Sequence, residues 1–166
     1  HKDSALAQLA IAMRATDSLT GHSQEPARAD IRLVEGQIIR SYNPREALPI
    51  LEEASMAYNR LGMGFRSSTS MYETGLAARD AGDTTRARSW IVRAIDQIEL
   101  QQTTFQAPEG RAALLETADN AFDAMIALEA AAERFDSAFE YLERGRGAVG
   151  LAAGPSLQAI GEQVPA

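Results

Sequence analysis

Apolar and small residues recur along this chain with the spacing of one helical face. Four segments open with an alanine, carry a large aliphatic residue four positions later and end on a small residue seven positions later. Offsets of 0, 4 and 7 lie on one side of an α-helix, so each segment predicts an amphipathic helix. The aligned triplets are Ala5/Leu9/Ala12, Ala47/Leu51/Ala54, Ala87/Ile91/Ala94 and Ala138/Leu142/Gly145. These anchored helices are expected near residues 3–20, 43–62, 83–100 and 136–153.

The anchored helices alternate with a second set of helical segments. Successive anchors are 42, 40 and 51 residues apart, which indicates that one helix pair is used repeatedly. Partner helices are expected at about 25–41, 64–81 and 108–133, and no segment has the pattern of a strand. The prediction is an all-α chain of about seven helices in antiparallel pairs, stacked as an α-α superhelix.

Capping signals give the expected helix ends. Asn43 is placed as an N-cap, with proline at the first helical position and a glutamate at the third. Asp83 and Asp136 are expected to cap the next two anchored helices, and Gly82 to end a partner helix.

The domain prediction is a helical-repeat domain over residues 1–154, followed by a short linker or helix, 155–166, that leads to a missing C-terminal domain. Because the chain starts inside an anchored helix, we also expect it to be a fragment that lacks at least one N-terminal helix.

Composition narrows the functional classes. The chain has no cysteine and only two histidines, His1 and His22. The residue types that form a zinc site or a Ser-His-Asp triad are therefore almost absent. The net charge of −7 disfavours a nucleic-acid surface, and no apolar run approaches a membrane span. We expect no catalytic residues, metal site or cofactor, and a role in binding. The cytoplasm is the predicted compartment, although the periplasm is also compatible.

The negative charge is concentrated towards the C-terminus. Residues 107–166 contain ten acidic and four basic residues, whereas residues 1–106 contain 13 and 12. A solvated acidic helix face and an acidic docking surface both fit this distribution.

Taken together, the alternating helices and anchor triplets resemble tetratricopeptide repeats. The clearest match runs from Met71 to Ala94, where Gly75 takes the small position of the first helix and Gly82-Asp83 form the turn. In the first full repeat Gly36 takes the small position, and the turn to the next helix is one residue shorter. In the third repeat Ile126 stands where a small residue is expected.

This resemblance implies that the first helix of each pair lines a concave groove that binds a protein or peptide. Arg40 and Arg79 would lie on one wall of the groove and bind acidic side chains or a C-terminal carboxylate. Alternatively, they pair with neighbouring carboxylates or point to water. The implied groove residues are Leu33, Gln37, Arg40, Tyr72, Leu76, Arg79 and Asp123.

A narrower resemblance concerns residues 137–154, SAFEYLERGRGAVGLAAG. This stretch is similar to the repeat helix that precedes the caspase-like CHAT domain of bacterial proteins, which commonly reads AL-x-x-x-E-R-x-R-A-x-x-L. Ala138-Phe139, Glu143-Arg144, Arg146 and Ala148 follow that pattern, while Gly145, Gly147 and Gly150 depart from it. The family's catalytic His and Cys would lie beyond Ala166, so none is carried onto this chain.

The resemblances imply a regulatory or target-recognition module of a CHAT-type protease. The alternatives are a free-standing scaffold or adaptor, and the ligand-sensing region of a signal-transduction regulator. The oligomeric state and the partner's identity stay open.

Four further features have simple structural interpretations. The motif from Gly145 to Gly150 matches G-x-G-x-x-G but falls in a predicted helix rather than after a strand. Glu52-Glu53 are expected on a solvated face, and Trp90 in a core or semi-buried position. About ten extra residues near 101–110 form either a protruding loop or an extension of the partner helix. Phe105, among them, either anchors a partner or packs under the helices.

Overall fold

The computed structural model describes residues 2–19, 23–102 and 108–152, and these form seven α-helices with no strand. The helices are α1 (Lys2–Ala15), α2 (Gln24–Arg40), α3 (Pro44–Arg60), α4 (Gly64–Asp80), α5 (Thr84–Gln102), α6 (Pro108–Ala131) and α7 (Phe135–Ala152). A short 3₁₀ turn, Thr16–Ser18, follows α1. Each predicted helix is present within a few residues of its expected bounds, and the architecture is an all-α helical repeat.

The chain divides into two compact units, His1–Gln101 and Gln102–Ala166. In the first unit α2 packs against α3 and α3 packs against α4, while α1 contacts α2. In the second unit α6 packs against α7.

Burial of the anchor positions explains why these helices pair. Ala47, Leu51 and Ala54 of α3 are fully buried, and so are the matching residues of α5. In α7 Ala138 is buried, while the two later anchors are half-buried. The repeated triplet is therefore the packing face of the second helix in each pair. Its alanines keep the stripe narrow enough for a neighbouring helix to lie close.

Glycines on the first helices of two repeats, at equivalent positions, let the second helix of each pair lie close to the first. A Cβ added at Gly36 would lie 2.5 Å from Leu51 Cγ and Cδ2, and one at Gly75 would lie 2.5 Å from Ile91 Cγ1. Leu51 and Ile91 are equivalent anchors, so the same glycine–aliphatic contact occurs in both helix pairs. In both pairs a large aliphatic side chain fills the space that a Cβ would take.

The turn between α2 and α3 is shorter than its equivalent, as the sequence predicts. Asn43 comes seven residues after Gly36, whereas Asp83 comes eight residues after Gly75. The longer turn passes through Gly82 at φ 84° and closes with a hydrogen bond from the Asp83 N–H to the Ala78 carbonyl. A positive φ at this position suits glycine, because a side chain is strained there.

The helix caps follow the sequence in part. The Asn43 side chain accepts from the Glu46 N–H at 3.4 Å and donates to the Glu46 carboxylate at 2.8 Å, and Asp83 accepts from the Arg86 N–H at 2.9 Å. The expected cap at Asp136 is wrong, because α7 already begins at Phe135 and Asp136 lies within its first turn. There its charge is favourable to the helix dipole.

In the second unit the glycine at the helix–helix contact lies on the second helix of the pair, α7, rather than on the first. A Cβ at Gly145 of α7 would lie 3.2 Å from Phe122 Cγ of α6. The turn into α7 is fixed by Glu129, which is fully buried and accepts from Arg134 Nε at 2.6 Å. Glu133, in that turn, adopts a positive φ of 57°.

Candidate functional site

Polar side chains join the first helices of two successive repeats. Gln37 Nε2 of α2 donates to Glu73 Oε1 of α4 at 2.9 Å, and Arg40 Nη2 lies 3.4 Å from Glu73 Oε2. Arg40 Nη1 also lies 3.7 Å from Asp80 Oδ2. We call these four residues the α2–α4 seam. Because the pairs cross from one first helix to the next, α2 and α4 lie side by side.

The centre of the seam is partly withdrawn from water. The Arg40 and Glu73 side chains are 24% and 15% exposed, so their attraction is less screened than that of a surface pair. Glu73 Oε2 is buried without a hydrogen bond, and the Arg40 guanidinium is the neighbouring charge that compensates it. The amide of Gln37 holds the other oxygen, so the orientation of the Glu73 carboxylate is fixed from both sides.

A second polar cluster ties the beginning of α4 to α2 and α3. The Tyr58 hydroxyl donates to Asp30 Oδ1 at 2.6 Å, and Arg66 Nη1 contacts the same oxygen. Burial and then the hydrogen bond to Asp30 raise the pKa of Tyr58 above its ordinary value. Tyr58 is fully buried, so its hydroxyl depends on this carboxylate for hydrogen bonding.

The two arginines predicted to form one wall are connected through a carboxylate. Arg79 Nε and Nη2 both donate to Asp80 Oδ1, at 3.1 and 3.0 Å, while Asp80 Oδ2 faces Arg40. Each arginine is therefore paired with an acidic neighbour, which is the alternative that the sequence left open. Together with Glu73, these groups form a network of zero net charge.

The other predicted groove residues of the first unit differ in accessibility. Leu33 packs against the buried cluster of Ala29 and Tyr58, and Leu76 is only 7% exposed. Tyr72 is half-buried and Arg79 is exposed. Gln37, Arg40, Tyr72 and Arg79 are thus the predicted residues of the first unit that present polar atoms near the surface.

Asp123 is described with the second unit. It is exposed and lies at the edge of a cavity of about 420 Å³ between α6 and α7. The lining residues are Asp119, Phe122, Asp123, Ile126, Leu142, Gly145 and Arg146. Ile126, which replaces the small residue of the other repeats, lines this cavity together with the anchor Leu142.

Sequence reasoning missed the acidic members of the seam, Glu73 and Asp80. The available signal was the i, i+7 spacing of the two carboxylates on a first helix. Their partners, however, lie in α2 and depend on the register between two helices.

Glu52 is less exposed and has more hydrogen-bond partners than expected. It accepts from Arg86 Nη2 at 2.6 Å and from Trp90 Nε1 at 3.1 Å, and its side chain is 19% exposed. The expectation of a solvated face is therefore wrong for Glu52, whereas Glu53, at 60% exposure, agrees with it. Trp90 is half-buried, as predicted, and the Arg93 guanidinium lies 4.9 Å from the centre of its ring.

Other chemistry is sparse in the described part of the chain. Residues 2–19, 23–102 and 108–152 hold no group of three metal-ligating side chains, and none of their helices has the length and hydropathy to cross a membrane. Gly145, Gly147 and Gly150 lie within α7, so their motif is not a strand–turn–helix phosphate loop. His1, His22, Phe105 and residues 155–166 lie outside the described residues.

Comparison of the chain with protein-family models, with curated proteins and with solved structures finds no match.

Proposed function

We propose that this chain is a protein- or peptide-binding helical-repeat module, and that its partner binds across the α2–α4 seam. The observation that carries the proposal is the side-by-side arrangement of two first helices, joined by Gln37, Arg40 and Glu73. Stacked repeats present extended surfaces of this kind to their partners. The half-buried, mutually oriented polar groups make the surface rigid enough to be specific.

The charge balance of the seam indicates the kind of peptide. Arg40 and Arg79 are compensated by Glu73 and Asp80, so the surface has no excess positive charge for an acidic partner. Recognition by hydrogen bonds and by the Tyr72 ring fits this surface better than recognition by net charge. We therefore expect the affinity to change less than about threefold between low and physiological salt, because long-range steering is weak.

The proposal is tested by selecting peptides from a displayed random library against the immobilised chain. Selected peptides are then titrated by fluorescence anisotropy against wild type, Gln37→Ala and Tyr72→Ala. Met56→Ala is the control, since Met56 is 53% exposed on α3, a second helix. The far-UV circular dichroism spectrum of each variant checks that the fold is kept.

Tyr72→Ala is expected to weaken binding about tenfold or more, as at an interface hot spot, and Met56→Ala less than about twofold. Failure to select any peptide, or equal affinities for all four proteins, would contradict binding at the seam.

At a finer level, we propose that the helices are tetratricopeptide repeats and that the chain is the target-recognition or regulatory part of a bacterial CHAT-type protease. The support is the resemblance of residues 71–94 and 137–154 to those families. Sequencing the gene downstream of codon 166 tests it. A caspase-like domain with a His and a Cys agrees with the proposal, and an unrelated effector or a stop codon leaves a scaffold or adaptor.

A second candidate function, small-ligand sensing, is favoured by a cavity of about 260 Å³ between α1, α2 and α3. Its floor includes Ala29, Ala54 and Ala57, and its rim carries three arginines and two glutamates. A thermal shift with amino acids or other small charged metabolites, and none with peptides, would favour this function over protein binding.

A further inference from the structure

An apolar stripe on α7 leads into the cavity of the second unit. Phe135, Phe139, Leu142 and Arg146 are spaced four, three and four residues apart, which places them on one helical face. Phe135 and Phe139 are 66% and 62% exposed, and Leu142 lines the cavity next to Ile126 of α6. Two exposed aromatic rings one turn apart, on the helical face that also carries the cavity-lining Leu142, form a patch typical of an interaction site.

The equivalent position in the first unit shows what this face does when it is covered. Phe139 follows the anchor Ala138 just as Leu48 follows the anchor Ala47. Leu48 is only 7% exposed. Leu48 and the turn between α4 and α5, around Gly82, line the same cavity. The face that buries an apolar side chain against a helical hairpin in the first unit is open on α7.

The charge around the patch favours a basic occupant. Asp119 and Asp123 are exposed at the cavity rim, and neither forms an ion pair with another described residue. Asp136 and Glu140 are exposed on α7, and residues 102–166 contain ten acidic and four basic residues in all. A second copy would bring the same negative surface. The chain's own residues 153–166 contain one glutamate and no lysine or arginine.

We propose that this surface of α6 and α7 docks a basic amphipathic helix of a partner protein. A large apolar side chain of that helix enters the cavity beside Ile126 and Leu142. Its lysine or arginine side chains lie next to Asp119 and Asp123 and against the ring faces of the exposed phenylalanines, where cations bind favourably. The inference rests on the proposed protein-binding function but uses a surface separate from the seam.

The test uses the whole chain and a labelled 18-residue peptide with leucine at positions i, i+4 and i+7 and lysine on its other face. A scrambled peptide of the same composition and a version with glutamate for lysine are the peptide controls. The protein variants are Phe139→Ser and the double variant Asp119→Asn/Asp123→Asn. Their matched controls in the first unit are Leu100→Ser, at a side chain 63% exposed, and Asp3→Asn, at an exposed aspartate of α1.

The lysine peptide is expected to bind at least about tenfold more tightly than the scrambled peptide. Phe139→Ser should weaken binding about tenfold, and the double aspartate variant about fivefold, while the two controls stay within about twofold. Tyr72→Ala, on α4 of the first unit, should bind the lysine peptide like wild type. That result separates this inference from the binding site proposed for the first unit.

Four results would overturn the inference. Equal binding of the scrambled peptide, or unchanged binding by Phe139→Ser, would mean non-specific attraction to an acidic protein. Self-association in sedimentation that Phe139→Ser abolishes would identify a second copy as the occupant. Binding of the lysine peptide only by a variant that ends at Gly154 would identify the chain's own C-terminal residues.

Discussion

Substituting Gly75 by alanine tests the packing of the repeat most sharply. A Cβ at this position would lie 2.5 Å from Ile91 Cγ1, 3.2 Å from Ile91 N and 3.3 Å from Ala87 O. Since two of these atoms belong to the backbone of α5, a change of rotamer cannot make room. The helices α4 and α5 have to move apart along their shared face.

The expected cost follows from two opposing effects. Overpacking a well-filled contact costs about 1–3 kcal/mol, and this contact is at the upper end because backbone is involved. Alanine recovers about 1 kcal/mol of helix propensity relative to glycine. The net prediction for Gly75→Ala is a loss of about 1–2 kcal/mol. For a unit of roughly 100 residues, that loss lowers the melting temperature by about 5–15 °C.

Urea unfolding followed by the fluorescence of Trp90 is the appropriate assay. Trp90 is the single tryptophan and lies in α5, so its emission reports on the first unit. Gly36→Ala is the comparison, because its Cβ would meet only side-chain atoms of Leu51, and it should lose less stability. If Gly75→Ala is as stable as wild type or more so, the close approach of α4 and α5 is refuted.

Three further predictions concern single side chains. Folding raises the pKa of Tyr58, so the contribution of Tyr58 to stability is complete below the ordinary tyrosine pKa of about 10 and is lost as the pH rises beyond that value. In urea titrations the wild type should therefore lose more stability than Tyr58→Phe between pH 9 and 12, and parallel losses would contradict this. Trp90→Phe should cost about 1 kcal/mol by removing the hydrogen bond to Glu52, and a double-mutant cycle with Glu52→Gln, read by circular dichroism, should show coupling. Gly147→Ala, where a Cβ meets no atom within 4 Å, should stabilise α7 by about 0.5–1 kcal/mol, detected as slower amide exchange in that helix, whereas faster exchange would mean an unseen contact.

The helices and their packing faces could be predicted because their signals are local. Anchor triplets such as Ala47, Leu51 and Ala54 lie within two turns, and alternation with a second set of helices repeats along the chain. Gly36 and Gly75 marked the close contacts, because only a residue without a side chain fits against Leu51 or Ile91.

The polar contacts between helices were less accessible to sequence reasoning. Glu73 meets Gln37 and Arg40 from 33 to 36 positions away, so these contacts depend on the register between α4 and α2. The same limit applies to Glu52, whose partners belong to α5. The packing of the helices decides which polar residues meet at such a separation.

The start of α7 shows another limit. Asp136 has the residue type of an N-cap, which would start the helix at residue 137. Glu133, however, takes a positive φ in the turn and Arg134 pairs with the buried Glu129, so the helix begins two residues earlier, at Phe135. A glutamate rarely adopts the positive φ of Glu133. The burial of Glu129 and its pairing with Arg134 therefore set where α7 begins.

Amide hydrogen exchange with a library-selected peptide bound shows which helices the peptide contacts. Binding across the α2–α4 seam predicts slower exchange in α2 and α4, centred on Gln37, Arg40 and Glu73, with α3 and α5 little changed. Slower exchange confined to α3 and α5, or to α6 and α7, would show that the peptide does not bind across the two first helices.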